Sequence, residues 1–230
     1  MFREVNRVSK RDFVSNRVRD IAFSNIRKVF EEAKQLEKEG ARIVHMEIGR
    51  PDFDTPANIK AAAYKALEDG HVHYSSNHGI AELRHAISDK LKRENNITVD
   101  PETEVVVTIG CKEAILDTFL AFLNPQDEVL IPEPSWLEYT RVVKFLGSSP
   151  VTVPLRAENN FELDPDDVAA RITENTKMLV LCSPHNPTGA VLNEETMQAL
   201  AQLCIENDLL VVSDEIYEKL IYSNEKHISI

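Results

Sequence analysis

Asp214 closes the apolar run Leu209–Val212 in the stretch LVVSDEIYEK. A carboxylate at the end of a buried strand is costly unless donors or a cation meet it. A protonated pyridine nitrogen is one such cation; a helix N-cap is the plainer alternative. Tyr217, three residues on, is placed to share the same crevice. Val105–Ala114 reads VVVTIGCKEA, a strand, a glycine and the start of a helix. Ligands of α/β folds bind at the carboxyl ends of strands, and a helix N-terminus there offers free N–H groups and a positive dipole end to an anion. Gly110 lets the backbone approach, and Cys111 and Lys112 would offer their amides to a phosphate. Alone, this signal is weak. A strand–Gly–helix turn is more often structural, and the further glycines of a Walker loop or dinucleotide fingerprint are absent.

Two more stretches follow apolar runs. CSPHNPTGAV, Cys182–Val191, carries Asn186 in what could be simply a turn, since Asn, Pro, Thr and Gly all suit one. Pro132–Trp136 holds the single tryptophan after two prolines; tryptophan is more often core, but here it is suited to stacking on a flat ring. Four strand ends thus carry an anion cradle, an aromatic plate, an amide side chain and a buried carboxylate. Together they describe a pocket for a flat, phosphorylated heteroaromatic. Both prolines Pro134 and Pro187 sit where a side chain must be aimed, so cis bonds are expected at Glu133-Pro134, Asn186-Pro187 or both.

The elements that must hold these residues follow from periodicity. Ile26, Val29, Phe30, Ala33 and Leu36 recur at helical spacing before Gly40. Thr55-Pro56 reads as an N-cap followed by proline at the first helical position, opening a helix that ends at Gly70. Ile80, Leu83, Ile87 and Leu91 predict a third helix. From about Glu104, short apolar runs appear at 105–107, 129–131, 151–153, 178–181 and 209–212, separated by helical patterns such as Ala114–Leu123 and Met197–Cys204. Buried strands alternating with amphipathic helices predict an α/β fold, a mostly parallel sheet with helices on both faces. The expected division is an N-terminal arm and linking helix over 1–48 and the α/β domain over 49–230.

Composition excludes other classes. The 230 residues carry 26 Lys+Arg against 38 Asp+Glu, a net charge of −12, which argues against a nucleic-acid partner. Cys111, Cys182 and Cys204 show no metal-ligand spacing and cannot all pair, so no metal is expected and a reduced, cytoplasmic protein is the reading. No apolar run approaches the ~20 residues of a membrane helix.

The stretches Gly49-Arg50-Pro51-Asp52-Phe53-Asp54-Thr55-Pro56, His73-Tyr74 through Gly79 to Leu83-Arg84, Gly110-Cys111-Lys112-Glu113-Ala114, Pro134-Ser135-Trp136, Asn186-Pro187-Thr188-Gly189 and Ser213-Asp214-Glu215-Ile216-Tyr217 occur in that order. As a set they resemble the class I/II aminotransferases of pyridoxal-phosphate fold type I, especially the aspartate-aminotransferase-like branch. The resemblance implies pyridoxal 5′-phosphate as cofactor and amino acids and 2-oxo acids as substrates. It implies that Asp214 pairs with the ring nitrogen, that Asn186 and Tyr217 bond the ring's phenolic oxygen, and that Trp136 stacks on the ring. The backbone at Gly110, Cys111 and Lys112 would hold the phosphate, and Gly49, with Trp136 and Asn186, would meet the substrate. Tyr74 resembles the tyrosine that reaches the neighbouring subunit's cofactor phosphate, which implies a homodimer. Cys111 departs mildly from the alanine, serine or glycine usual there.

A larger departure is an absence. In the family a Ser-x-Ser-Lys stretch beyond the Asp-x-x-Tyr motif supplies the Schiff-base lysine, and no such stretch occurs before Ile230. Lys219 and Lys226 lack that context and read as solvated lysines. Arginines of the family's C-terminal region are absent too. The chain is therefore expected to be the N-terminal portion of an aminotransferase, inactive by itself, with the run at 105–108 lacking its sheet neighbours. The alternatives are a carbon–sulfur lyase of the same fold type, a non-catalytic relative that dimerises or binds a partner, and, more distantly, a plain nucleotide-binding domain.

Overall fold

The computed structural model describes residues 13–19, 25–46, 49, 51 and 53–230. Most of the expected N-terminal arm lies outside these residues, as do Arg50 and Asp52 of the Gly49–Pro56 stretch. The chain separates into two compact units, Met1–Asp20 with Asn77–Ile230 and, apart from it, Ile21–Ser76. A single helical turn, α1 (Asn16–Arg19), belongs to the first.

The smaller unit holds α2 (Asn25–Lys38) and α3 (Ala57–Glu68). Gly40 and Gly70 follow them with φ of +96° and +84°, the left-handed region where glycine carries no Cβ penalty. The start of α3 differs by one residue from expectation. Pro56 has ψ of 144° and so lies outside the helix as its cap, and no side chain caps the first turn.

The larger unit begins with α4 (Ala81–Lys90), which continues into a π-helical turn over Leu91–Asn95. Arg84 on α4 is buried, with Nη2 donating to Glu102 Oε2 at 3.0 Å and Nη1 to the Pro101 carbonyl. Then follow α5 (Gly110–Phe122), β1 (Glu128–Glu133), α6 (Glu138–Phe145), β2 (Ser149–Pro154), α7 (Pro165–Ala169), β3 (Thr176–Cys182), α8 (Glu194–Glu206) and β4 (Leu210–Asp214). The four strands form one parallel sheet in the order β2-β1-β3-β4, as the alternation of strands and helices predicts.

The central strands β1 and β3 are buried on both faces, and their successive side chains point opposite ways. Val129 and Ile131 of β1 and Met178 and Val180 of β3 pack against Ile115 and Phe119 of α5 and Tyr139 and Val143 of α6. Their neighbours Leu130, Leu179 and Leu181 pack instead against Val168 of α7 and Met197, Leu200 and Cys204 of α8. Each such side chain contributes roughly 1.5–3 kcal/mol of burial. The two helices on the second face begin with conventional caps, Asp164 accepting from the Asp166 N–H and Asn193 from the Thr196 N–H, both at 2.9 Å.

The run at 105–107, expected as a strand, forms no ladder. Its Val107 N–H bonds the His78 carbonyl at 3.0 Å, Val105 is buried, and Val106 is exposed. Extended backbone becomes a strand only where a second extended segment lies beside it. Three X-Pro bonds are cis: the expected Glu133-Pro134 and Asn186-Pro187, and also Ser183-Pro184.

Candidate functional site

The carboxyl ends of β1, β3 and β4 and the N-terminus of α5 meet at a cavity of about 300 Å³, the lower end of the range for small-molecule pockets. It is lined by Ile109, Gly110, Cys111, Lys112, Trp136, Tyr139, Cys182, Asn186, Asp214, Ile216 and Tyr217. Seven residues singled out by the sequence are thereby brought together: Gly110, Cys111, Lys112, Trp136, Asn186, Asp214 and Tyr217. Gly49 and Tyr74 lie in the Ile21–Ser76 unit, where both are exposed.

Asp214 ends β4 directly opposite Cys182 of β3, so the ladder itself delivers it to the cavity. Only 7% of it is exposed. Its Oδ2 accepts from the Tyr139 hydroxyl at 2.6 Å and its Oδ1 from the Ile216 N–H at 3.2 Å. The N-cap alternative is thus present in part, since Oδ1 holds the turn that follows the strand. Among the described residues no lysine, arginine or histidine forms an ion pair with this carboxylate.

Asn186 stands on the loop after β3. Its Nδ2 donates to the Tyr217 hydroxyl at 3.2 Å, joining the loops that follow β3 and β4. The Asn186 loop is closed on itself. The His185 N–H donates to the Ala190 carbonyl at 2.8 Å, the Gly189 N–H donates to the His185 carbonyl at 2.7 Å, and His185 Nδ1 pairs with Thr188 Oγ1 at 2.8 Å. Burial holds the His185 imidazole down to about 4, so the ring is neutral near neutrality.

Helix α5 has no side-chain cap at Ile109; the Gly110 N–H donates to the Thr108 carbonyl at 2.8 Å, and the Cys111 and Lys112 N–H groups have no helical acceptor. Gly110 has φ of +74°, and a Cβ built on it would meet nothing within 4 Å. Lys112 Nζ is engaged by Glu138 Oε2 at 2.9 Å, and Arg141 donates to the other oxygen of Glu138 at 2.7 Å. Burial works to raise Glu138, but those two cationic donors outweigh it and hold the carboxyl below its usual range. The Cys111 thiol is pushed up to about 11, by burial first and by the charge of Asp214 second. It is a thiol, not a thiolate, at neutral pH.

Tyr139 goes unremarked in the sequence, and Cys182 reads there only as a strand end and a free cysteine. Tyr139 stands three residues after Trp136, and the two rings meet edge to face with centroids 5.3 Å apart. The i, i+3 spacing is visible in the sequence but reads as ordinary helix packing. Outside the cavity, Glu215, Glu218 and His227 bring possible ligand atoms within 4.8 Å of one another. Lys90 already supplies a cation there, bonding Glu218 at 2.6 Å, while His227 and Ser229 bond Glu215, each at 2.7 Å.

A profile of the aminotransferase class I and II family matches residues 41–230. The aspartate aminotransferase of Pyrococcus abyssi is 43% identical over 217 residues, 94% of this chain and 55% of that protein. Aromatic-amino-acid aminotransferase 2 of Thermococcus litoralis is 41% identical over the same shares. The solved structure of aspartate aminotransferase from Thermus thermophilus with maleate superposes with a TM-score of 0.91 at 43% identity, covering 95% of this chain and 57% of that one. The chain spans about half the length of the curated relatives it matches.

Proposed function

Because the chain belongs to the aminotransferase class I and II family, we propose that its cavity holds pyridoxal 5′-phosphate and that the whole protein moves an amino group between an amino acid and a 2-oxo acid. The observation that carries this reading is Asp214, a buried carboxylate with hydroxyl and amide donors and no cationic partner among the described residues. A ring that brings its own cationic nitrogen answers that need.

The residues fit the cofactor. The Cys111 and Lys112 amides at the start of α5 suit a phosphate, the Asn186–Tyr217 pair suits the ring's phenolic oxygen, and Trp136 supplies a flat apolar wall. Bound there, the cofactor supplies an electron sink for carbanion chemistry. The chain's own part is to hold a charge opposite the ring nitrogen and to fix the ring's tilt. Gly49 would contact the substrate carboxylate beside Trp136 and Asn186, and Tyr74 would serve the neighbouring subunit of a homodimer. Residues 49–230 would act as the cofactor-binding domain, with 1–48 as arm and linking helix. No helix among the described residues is long and apolar enough to cross a membrane, and a cytoplasmic setting suits three free cysteines.

The test is direct titration of the purified chain with pyridoxal 5′-phosphate, followed by cofactor absorption and protein fluorescence. Saturable binding that weakens at least about tenfold, a change of ~1.4 kcal/mol, in Asp214→Asn is expected. Failure of the unaltered chain to bind would overturn the reading.

A further inference from the structure

We propose that Tyr139 is a positioning residue for Asp214: its buried hydroxyl locks the carboxylate so that the proton shared between Asp214 and a bound pyridine ring stays on the ring nitrogen. The inference rests on the cofactor reading above and assigns a task to a side chain that reading does not use.

Geometry carries the argument. Tyr139 is 2% exposed and Asp214 7%, and the Tyr139 hydroxyl donates to Oδ2 at 2.6 Å, a short charge-assisted contact. A phenol has one proton to give, and here it is given to Asp214. Burial foremost, with the charge on Asp214 acting the same way, pushes the phenol's own ionisation far up, so Tyr139 remains a donor at every working pH. A donor on the ionised carboxylate favours the anion. Moving a proton from a ring nitrogen onto that carboxylate would weaken the Tyr139 bond, so the phenol biases the pair toward a charged ring. With Oδ1 taken by the Ile216 N–H, the carboxylate is held at both oxygens and cannot swing away.

The tyrosine is itself held. It belongs to the first turn of α6, its ring packs in the core face shared with Phe119, Val143 and Val180, and the Trp136 ring meets it edge to face. One helical turn therefore sets both the flat wall of the cavity and the donor behind its carboxylate. A core tyrosine satisfied by a convenient acceptor would show the same contacts, so the test needs a readout that packing does not move.

That readout is the nitrogen-15 NMR shift of pyridoxal 5′-phosphate labelled at its ring nitrogen, bound to the 230-residue chain and titrated with pH. In the unaltered chain the nitrogen should stay protonated well above its value in free cofactor. In Tyr139→Phe the equilibrium between ring nitrogen and Asp214 should move at least about tenfold toward Asp214, which displaces the acid-side nitrogen-15 shift toward its neutral-ring value, with cofactor still bound. A chain carrying 3-fluorotyrosine at position 139, a stronger donor of nearly the same shape, should keep the acid-side shift at or nearer its fully protonated value. A Tyr139→Phe titration identical to the unaltered chain, with Asp214→Asn losing the protonated signal, overturns the proposal and leaves the cofactor reading standing. An unaltered titration in Asp214→Asn overturns the reading of Asp214 itself. Should Tyr139→Phe fail to fold, the fluorotyrosine chain decides alone, and an acid-side shift displaced toward the neutral ring overturns the proposal.

Discussion

Oδ1 of Asp214 accepts from the Ile216 N–H and Oδ2 from Tyr139, so one carboxylate serves both a turn and a site, and substitution separates the two. Asparagine keeps an oxygen for the turn and nearly the same shape but loses the charge. In the whole protein, Asp214→Asn should therefore leave the melting temperature within a few degrees while amino transfer falls by about a hundredfold or more, ~2.7 kcal/mol in the barrier. Steady-state rates beside a thermal melt check this; a near-normal rate would return Asp214 to a structural role. His185 gives a second prediction, with a sign. Its folded value is near 4 against an ordinary 6.5, so between these the unfolded chain binds the extra proton. Stability from this group is full above about pH 7, falls as the pH drops toward about 4, and is then flat. The whole effect is no more than about 3 kcal/mol. Denaturant unfolding at several pH values should show the slope, and His185→Gln should flatten it. Asp214 was legible because a charge ending an apolar run is unusual. Tyr139 was not, because an aromatic on an amphipathic helix looks like core, and here it is also core.

Among elements, the sheet and its helices could be read from the sequence because β1 and β3 are apolar at every central position, which only a strand covered on both faces requires. Strand order could not: nothing in Ser149–Pro154 marks it as an edge neighbour of β1 rather than of β3. The run at 105–107 misled for a related reason. Its apolar residues are real, with Val105 buried, but pairing depends on what lies alongside and not on the run itself. Its contact with the residues before α4 is close. Gly79 has φ of +97°, and a Cβ there would stand 2.5 Å from Val107 Cγ2 and 2.7 Å from Val107 Cβ. Gly79→Ala should then cost about 2–4 kcal/mol from overpacking and left-handed strain together, read as a lower denaturant midpoint. Adding Val107→Ala should relieve the steric share and leave the conformational share. Equal stability of Gly79→Ala and the unaltered chain would mean that these two segments do not meet.

For the whole molecule, the decisive question is where an amine could reach the cavity. Its lining includes one lysine, Lys112, whose Nζ is bound to Glu138 at 2.9 Å, and that carboxyl is held ionised by Lys112 and Arg141 together. Freeing the ammonium, or taking its proton, would leave Glu138 to Arg141 alone and give up one of the two cations that hold that carboxylate. Lys219 is similarly engaged, bonding Glu94 at 2.7 Å on the exposed side of the π-helical turn. Neither side chain is arranged to attach the cofactor or to carry a proton on a substrate's α-carbon. Pyridoxal 5′-phosphate should accordingly bind the 230-residue chain reversibly. After borohydride reduction and denaturation the protein mass should show no stoichiometric adduct, and no amino acid–oxo acid pair should turn over. Glu138→Gln sharpens the expectation, because it releases Lys112 from its ion pair without opening the fold. If that variant gains a reducible adduct at Lys112 while the unaltered chain has none, the ion pair is what keeps the lysine from the cofactor. Turnover by the unaltered chain would show that an amine within these residues reaches the cavity after all.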